Sequence, residues 1–583
     1  MDHRDPAGLS GYATDVPGAD AVGRVMERLA WQRQILAERP RRLDLLRWRA
    51  TWPLQPVLIR VHRNQPFEFV ASVMAPFLAV ADLEPSFDIG PYDDALSGVG
   101  EPEAPTAGVE LLWLDFGRYL DRQEPEAVVT WLADRVRTLR LASSAPILVA
   151  GSVVYGDPAM RLNTLLETAL DGIAGTHMLD QAAVADELGE SYADPRSESF
   201  AGSRLSDMAA IETARRFGLV WIPAVLAPRL KAIVVDLDNT LYDGVLGEDG
   251  PAALRLSDDR AALQHRLVEL ADSGLLIAVL SKNEPEDVDR MFRERSDFPL
   301  RPEKLSAVVA SWRPKVEGMT SILERLRIGP DSVLLVDDNL GELAAVSDAL
   351  PGVVPLHAAD AGQALRGLRW HPGLAALRSS REDSIRAADL ASFETRRALE
   401  TTASNPLAYL RSLEVRLGFA LSPVDQLSRI HELSTKTNQF NTGFLRLSET
   451  DVAALLADST SSLVTVSLQD RLSDSGVIGL IVIRTVPGTP PMVEEVAISC
   501  RALSRGVEDA IIVEALRGAL GSSPPDRVRF RFEPGPRNGP ARDWLGRVSG
   551  GPVEPPEVEV PWLRLEEFRE AVASAVELVW REP

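Results

Sequence analysis

The segment Lys231-Ala-Ile-Val-Val-Asp236-Leu-Asp238-Asn-Thr240 is an apolar strand that delivers two carboxylates at its carboxyl end. That end is where ligands bind in open α/β sheets. Two acids held close repel each other, so one binds a cation or keeps a proton. The arrangement suits a nucleophile beside a general acid. Asp236 is read as nucleophile or phosphoryl-contacting acid, and Asp238 as the acid that protonates the leaving oxygen. Three further parts follow in order. Ser281 ends the apolar run Leu276–Leu280, where a hydroxyl can bond a phosphoryl oxygen. Lys315 opens a helix after Trp312-Arg-Pro and brings positive charge. Leu334-Leu-Val-Asp337-Asp338-Asn339 is a second apolar strand ending in acids. Thr240, Ser281 and Lys315 are therefore the phosphate-binding candidates. Asp236, Asp238, Asp337 and Asp338 are the candidates for an oxygen-rich Mg²⁺ site.

The elements that must position these residues read as alternating strands and helices, the pattern of a parallel sheet. Strands are expected at Ala232–Leu237, Leu276–Leu280, Val308–Ala310 and Ser332–Val336. Helices are expected at Asp258–Ser273, Glu286–Arg295, Lys315–Leu326 and Leu340–Ala349. Before them, a helix over Ala21–Glu38 and strands at Pro56–Val61, Val109–Phe116, Pro146–Ala150 and Leu219–Pro223 predict another α/β unit. After them, 414–583 reads as α+β, with strands at Val415–Leu421, Ser462–Leu468, Val477–Thr485 and Met492–Ser499. The Pro/Gly-rich stretch 522–556 reads as loop. The expected division is a flexible lead-in 1–25, an α/β domain 26–226, a catalytic α/β domain 227–374, a helical connector 375–413 and a last domain 414–583.

The 583 residues suggest about three or four domains. Lys and Arg total 62 against 85 Asp and Glu, a net charge of −23. A chain this acidic has no general field favouring nucleic acid or an anionic membrane. The one cysteine, Cys500, excludes an internal disulfide or an all-Cys zinc site, and the seven histidines form no HExxH pair. The polar start Met1-Asp-His-Arg-Asp5, and the absence of any run of about 18 apolar residues, predict neither signal peptide nor membrane span. A cytoplasmic location is expected.

The order DxDxT, Ser, Lys, DD resembles the haloacid dehalogenase-like (HAD) phosphotransferases. The wording is closer still to their FkbH-like subfamily (IIIC). The matching segments are Val235-Asp-Leu-Asp-Asn-Thr-Leu-Tyr242-Asp-Gly-Val-Leu-Gly-Glu-Asp-Gly250, Ser281-Lys-Asn-Glu-Pro-Glu-Asp-Val288, Trp312-Arg-Pro-Lys315 and Val336-Asp-Asp-Asn339 with Glu342. The likeness continues through Thr435–Asn441, Leu468–Arg471, Ser473–Gly479 and Ser499–Glu508. It implies an SGNH- or flavodoxin-like α/β domain, a HAD-like Rossmannoid domain and a GNAT-like α+β domain. It also implies a Mg²⁺-dependent glyceryl transferase/phosphatase of polyketide pathways. Such an enzyme takes phosphate from 1,3-bisphosphoglycerate and loads the three-carbon unit on the phosphopantetheine thiol of an acyl carrier protein.

Two departures stand out. Relatives often place Cys just before the Ser-Lys-Asn motif, and here that residue is Leu280, which cannot hold an acyl group. Tyr242-Asp243 replaces Trp-Gly. Direct transfer, use of another thiol, or loss of the transferase step all remain open. Cys500, Arg501, Arg505 and Gly506, at the start of a helix and similar to the pyrophosphate loop of acetyltransferases, are the acyl or pantetheine candidates. The N-terminal domain has no Gly-Asp-Ser nucleophile motif, and Ser152 reads as structural. Three functions follow: glyceryl transfer to a carrier protein, phosphatase action on a small phosphorylated metabolite, or a non-catalytic carrier-binding scaffold.

Overall fold

A computed structural model describes residues 19–99, 106–153, 156–196, 202–227, 229–375, 377, 385, 389, 392–503, 505–521 and 524–581. The lead-in up to residue 18 and most of the stretch 376–391 lie outside these residues.

The first sheet has strands β1 (Gln55–Arg63), β2 (Leu83–Tyr92), β3 (Val109–Trp113), β4 (Ile147–Ala150) and β5 (Thr176–Leu179) in the order β2-β1-β3-β4-β5. All its pairings are parallel. That is a doubly wound order shared by many unrelated functions. The expected strand Leu219–Pro223 is helical instead, a π-turn at Phe217–Trp221 running into a helix at Ile222–Leu226. Its short apolar run cannot be told from a buried helix by hydropathy alone. Phe217, Leu219 and Ile222 are all fully buried there. Gly218 lies so near Phe77 that a Cβ would come within 2.4 Å of it, which explains the glycine.

The second sheet has β6 (Ala232–Val235), β7 (Leu276–Ser281), β8 (Leu305–Ala310), β9 (Val333–Asp337) and β10 (Val354–His357) in the order β10-β9-β6-β7-β8. Every pairing is parallel. β6, β7 and β9 are buried along their whole lengths, as strands covered by helices on both faces must be. Helices at Asp258–Asp272, Pro285–Glu294, Lys315–Leu326 and Leu340–Ala349 stand close to expectation. Central β6 is flanked by β7 and β9, so the carboxyl ends of these three strands form one platform.

The helix expected from Ala21 runs Ala19–Ile35, and so begins inside the stretch read as lead-in. It packs on the second unit rather than the first alone. Leu29 is buried in the cluster of Val234, Leu335 and Val346, and Gln32 donates to the Pro355 carbonyl.

The third unit contains β11 (Arg416–Leu421), β12 (Phe440–Asn441), β13 (Ser461–Gln469), β14 (Asp474–Arg484), β15 (Met492–Ile498), β16 (Arg527–Arg531), β17 (Glu557–Pro561) and β18 (Glu577–Trp580). Its sheet runs β17-β16-β15-β14-β13-β11-β18. The stretch read as loop holds β16 and a helix at Gly539–Ser549. β15 and β16 are parallel and pair only at Met492–Arg529 and Val493–Phe530 before diverging. The chain at 440–445 fills the wedge between them. β12 pairs with β15, Thr442 accepts from the Glu533 amide, and buried Glu495 accepts from the amides of Thr442, Gly443 and Leu445. No helix among the described residues is long and apolar enough to cross a membrane.

Candidate active site

Asp236 follows the last residue of β6, Ser281 ends β7, and Asp337 ends β9. Their neighbourhood in space follows from the strand order. Asp236, Asp337 and Asp338 each bring a ligand oxygen within 4.8 Å of the others. Asp337 is fully buried, Asp236 nearly so and Asp338 half-buried. Lys315, the first residue of its helix, puts Nζ 2.9 Å from Asp236 and 2.5 Å from Asp337. The Asn339 amide donates to Asp337 at 2.9 Å, and the Asn339 side chain caps the next helix through the amides of Gly341 and Glu342.

Electrostatics follow from this crowding. Burial pushes Asp236 well above the usual carboxylate range, and Asp337 adds to the rise against the pull of Lys315. Burial, with Asp337 beside it, also raises Asp338. Burial would lower Lys315, but Asp236 and Asp337 outweigh it and hold the ammonium charged. Three hard oxygen donors in this state suit a small divalent cation. The residues thus fit Mg²⁺, with Asp236, Asp337 and Asp338 as its holders.

Asp238 departs from the expected metal set. Its carboxylate is not in the acid cluster but in a cage of donors. Tyr242 Oη (2.7 Å) and the Leu246 amide (2.9 Å) donate to Oδ1, and Asn283 Nδ2 (2.8 Å) donates to Oδ2. The loop 239–250 makes this possible. Asn239 adopts φ +53° and its side chain accepts from the Gly244 amide. Gly244 sits at φ +121°, open in practice only to glycine, and a Cβ there would approach Asp249. The turn brings Tyr242 and Leu246 back over Asp238, while Tyr242 stacks on Phe298.

Ser281 is buried and accepts from Asn283, which bridges it to Asp238. Thr240 is fully buried, and its Oγ1 meets no hydrogen-bond partner among the described residues. Its carbonyl accepts from Arg260, whose guanidinium also binds Asp243, so the extra acid of this loop is neutralised locally. Lys282, just after β7, and Glu342, in the first turn of the helix after β9, form an ion pair. Sequence reasoning singled out neither Asn283 nor Arg260. Asn283 lies two residues from Ser281 within the quoted Ser-Lys-Asn motif, a signal at hand. Arg260 gave none.

The C-terminal candidates lie elsewhere. Cys500 is half-buried at the start of the short helix Cys500–Leu503. Arg505 has its side chain fully buried among Asp470, Asp389, Ser475 and the Arg501 carbonyl. Its guanidinium is spent on protein groups, a correction to its reading as a pantetheine ligand. Gly506 is an exposed turn residue at φ +66°. Ser152 is buried, with its backbone bonded to Asn163.

Comparison with known proteins gives structural likeness only. No protein-family model and no curated protein matches the chain. The N-terminal part of BF1531 from Bacteroides fragilis, containing a phosphatase domain and crystallised with Mg, aligns over 59% of this chain and 98% of its own, at 18% identity and TM-score 0.45. A protein of Mesorhizobium loti named as HAD-like phosphatase aligns over 24% of this chain and 88% of its own, at 18% identity and TM-score 0.19. Likeness at these values bears on nothing beyond the arrangement of elements.

Proposed function

We propose that the chain is a Mg²⁺-dependent HAD-type phosphohydrolase whose substrate is an acyl phosphate. One observation carries the reading: three carboxylates and a buried lysine converge at the carboxyl ends of adjacent parallel strands. When bound among Asp236, Asp337 and Asp338, Mg²⁺ supplies charge neutralisation to an incoming phosphoryl group. The Asp236 carboxylate attacks phosphorus, and the bond from phosphorus to the leaving oxygen breaks. Lys315 and Ser281 offer an ammonium and a hydroxyl to the phosphoryl oxygens. Water then attacks the phosphoryl-aspartate, releasing phosphate and restoring Asp236.

Asp238 indicates the substrate class. Both oxygens of its carboxylate already accept hydrogen bonds, from Tyr242 Oη, the Leu246 amide and Asn283 Nδ2. Held as an acceptor, it is read as facing the attacking water and not as the donor to a leaving alkoxide. An acyl phosphate needs no such acid, because it leaves as a carboxylate. This agrees with the three-carbon acyl phosphate implied by the resemblance.

In this step the acyl group leaves as a carboxylate; its transfer to a carrier-protein thiol would need a different one, in which the thiolate attacks the carbonyl carbon and phosphate leaves, and Leu280 bears on the choice. Its side chain packs with Ala278, Met319 and Ile322 in the core beneath the sheet. The position where relatives hold a thiol is here a packing site. This favours hydrolysis; the second reading is attack of the carrier thiolate on the acyl carbonyl carbon, which forms the thioester, expels phosphate and leaves Asp236 unphosphorylated. Incubation with Mg²⁺ and either 1,3-bisphosphoglycerate or glycerol 3-phosphate tests the class. We expect phosphate release from the acyl phosphate at a kcat/KM at least about a hundredfold higher. Equal rates on both would overturn it. A holo carrier protein in the same mixture gains the glyceryl mass only under the second reading.

A further inference from the structure

A cavity of about 590 Å³ lies between the second and third units, within the range of small-molecule sites. Its floor is the amino-terminal edge of the second sheet. Lys231 precedes β6, Leu276 begins β7, and Ser332 precedes β9. The phosphoryl site lies at the other end of these strands. Five residues of rise from Lys231 to Asp236 separate the two by roughly 16 Å. The cavity is therefore a separate place, with its own chemistry.

That chemistry is cationic in a strongly acidic chain. Lys231 and Arg327 from the second unit meet Arg429, Lys436, Arg501 and Arg537 from the third. Four acids also line the cavity, and part of the positive charge is balanced. Glu432 pairs with Arg429 and Lys436, and Arg537 reaches across to Asp331 at 3.2 Å. Gly329 leaves room for that crossing, since a Cβ there would fall 2.1 Å from Arg537 Nη1. One wall is apolar, formed by Leu323, Leu326, Ile328 and Leu433, and the side-chain amides of Asn438 and Gln439 lie nearby. Within the third unit the chain's own segment 440–445 lies in the wedge between β15 and β16.

We propose that this interdomain cavity binds a small organic phosphate. Arg327 and Arg501 meet its anionic end, Lys436 and Arg537 reach it by exchanging from Glu432 and Asp331, and its organic part lies against the leucine wall. Because the cations come from both units, the bound ligand ties the units together. The site does not depend on the phosphohydrolase reading.

Cys500 lines the cavity and is the only thiol of the chain, so its labelling reports occupancy without engineering. The full chain in EDTA is reacted with a chromogenic disulfide in the presence of ADP, 3-phosphoglycerate, pyrophosphate or adenosine. The expected result is saturable slowing by at least one of the two organic phosphates, at least about tenfold, with none from adenosine and less from pyrophosphate. The variants Arg501→Ala and Arg537→Ala, checked for folding by circular dichroism, should weaken protection by at least about tenfold each. Asp236→Asn should leave it unchanged, since that residue lies at the other end of the sheet. No protection by any phosphate at millimolar concentration would overturn the proposal. So would protection that persists in both arginine variants, or that vanishes in Asp236→Asn.

Discussion

Asp236 stands between two demands. It must be charged to hold a cation or attack phosphorus, yet its burial and its neighbour Asp337 favour the proton. Its pKa is pushed up to about 7, so below that pH a proton occupies the oxygen a cation needs. Mg²⁺ affinity of the free protein should therefore rise roughly tenfold per pH unit up to about pH 7 and level off above it. Calorimetric titration across that range checks this, and a flat profile would contradict the raised Asp236. The two acids of the DxD motif share a spacing but not a role. Their types and order were legible in the sequence. The separation of Asp238 from the metal set was not, because it depends on the left-handed turn at Asn239 and Gly244, which folds Tyr242 and Leu246 back onto the carboxylate.

At the scale of elements, the platform is held by the fit of the helix Lys315–Leu326 against β7 and β8. Gly318 faces Leu280, and a Cβ would come within 2.5 Å of Leu280 Cδ1 and 3.2 Å of Val309 Cγ1. The same contact that explains Leu280 thus sets the seat of Lys315. Gly318→Ala should destabilise the protein by about 1–3 kcal/mol through overpacking. In a Leu280→Ala background the shortest approach is removed and the 3.2 Å approach to Val309 Cγ1 remains. There the cost of the substitution should fall by about 1 kcal/mol or more, helped by the usual gain over glycine within a helix. Urea unfolding of the four proteins reads this coupling, and the same effect in both backgrounds would refute the packing account. The β6, β7 and β9 runs were legible because a buried parallel strand is continuously apolar. β10 and β16 were missed: Val354–His357 carries a proline and a histidine, and Arg527–Arg531 alternates with arginine. The apolar run at 219–223 misled because burial on all sides erases the difference between helix and strand.

Across the whole molecule, charge that the composition presents only as a total of −23 is sorted into local compensation. The plainest case is the cluster joining the connector to the third unit. Buried Arg396 and Arg505 share Asp389 and Asp470, with Ser473 and Ser475 completing the bonds. Burial would raise both acids, but the two arginines and the hydrogen bonds hold them below the usual range. Acids depressed in this way stabilise the fold above their unfolded pKa, and that contribution is lost as pH falls below about 4. Asp470→Ala leaves two buried guanidinium groups to share the Asp389 carboxylate and should cost about 3 kcal/mol at neutral pH. Urea unfolding measures it, and a loss under 1 kcal/mol would mean that Asp389 alone suffices. Sequence placed Arg505 at a ligand loop because spacing cannot show that a guanidinium points inward to acids 35 and 116 residues away.

The central claim is that Asp236 accepts a phosphoryl group, and acid-quenched mass spectrometry tests it most directly. The protein is mixed with Mg²⁺ and an acyl phosphate, quenched within the first turnover, and digested. The account predicts the mass of one phosphoryl group on the peptide containing Asp236, absent without Mg²⁺ and absent in Asp236→Asn, with phosphate release from that variant lowered by at least about a thousandfold. Undiminished release from Asp236→Asn, or a phosphoryl group on another residue, would contradict it.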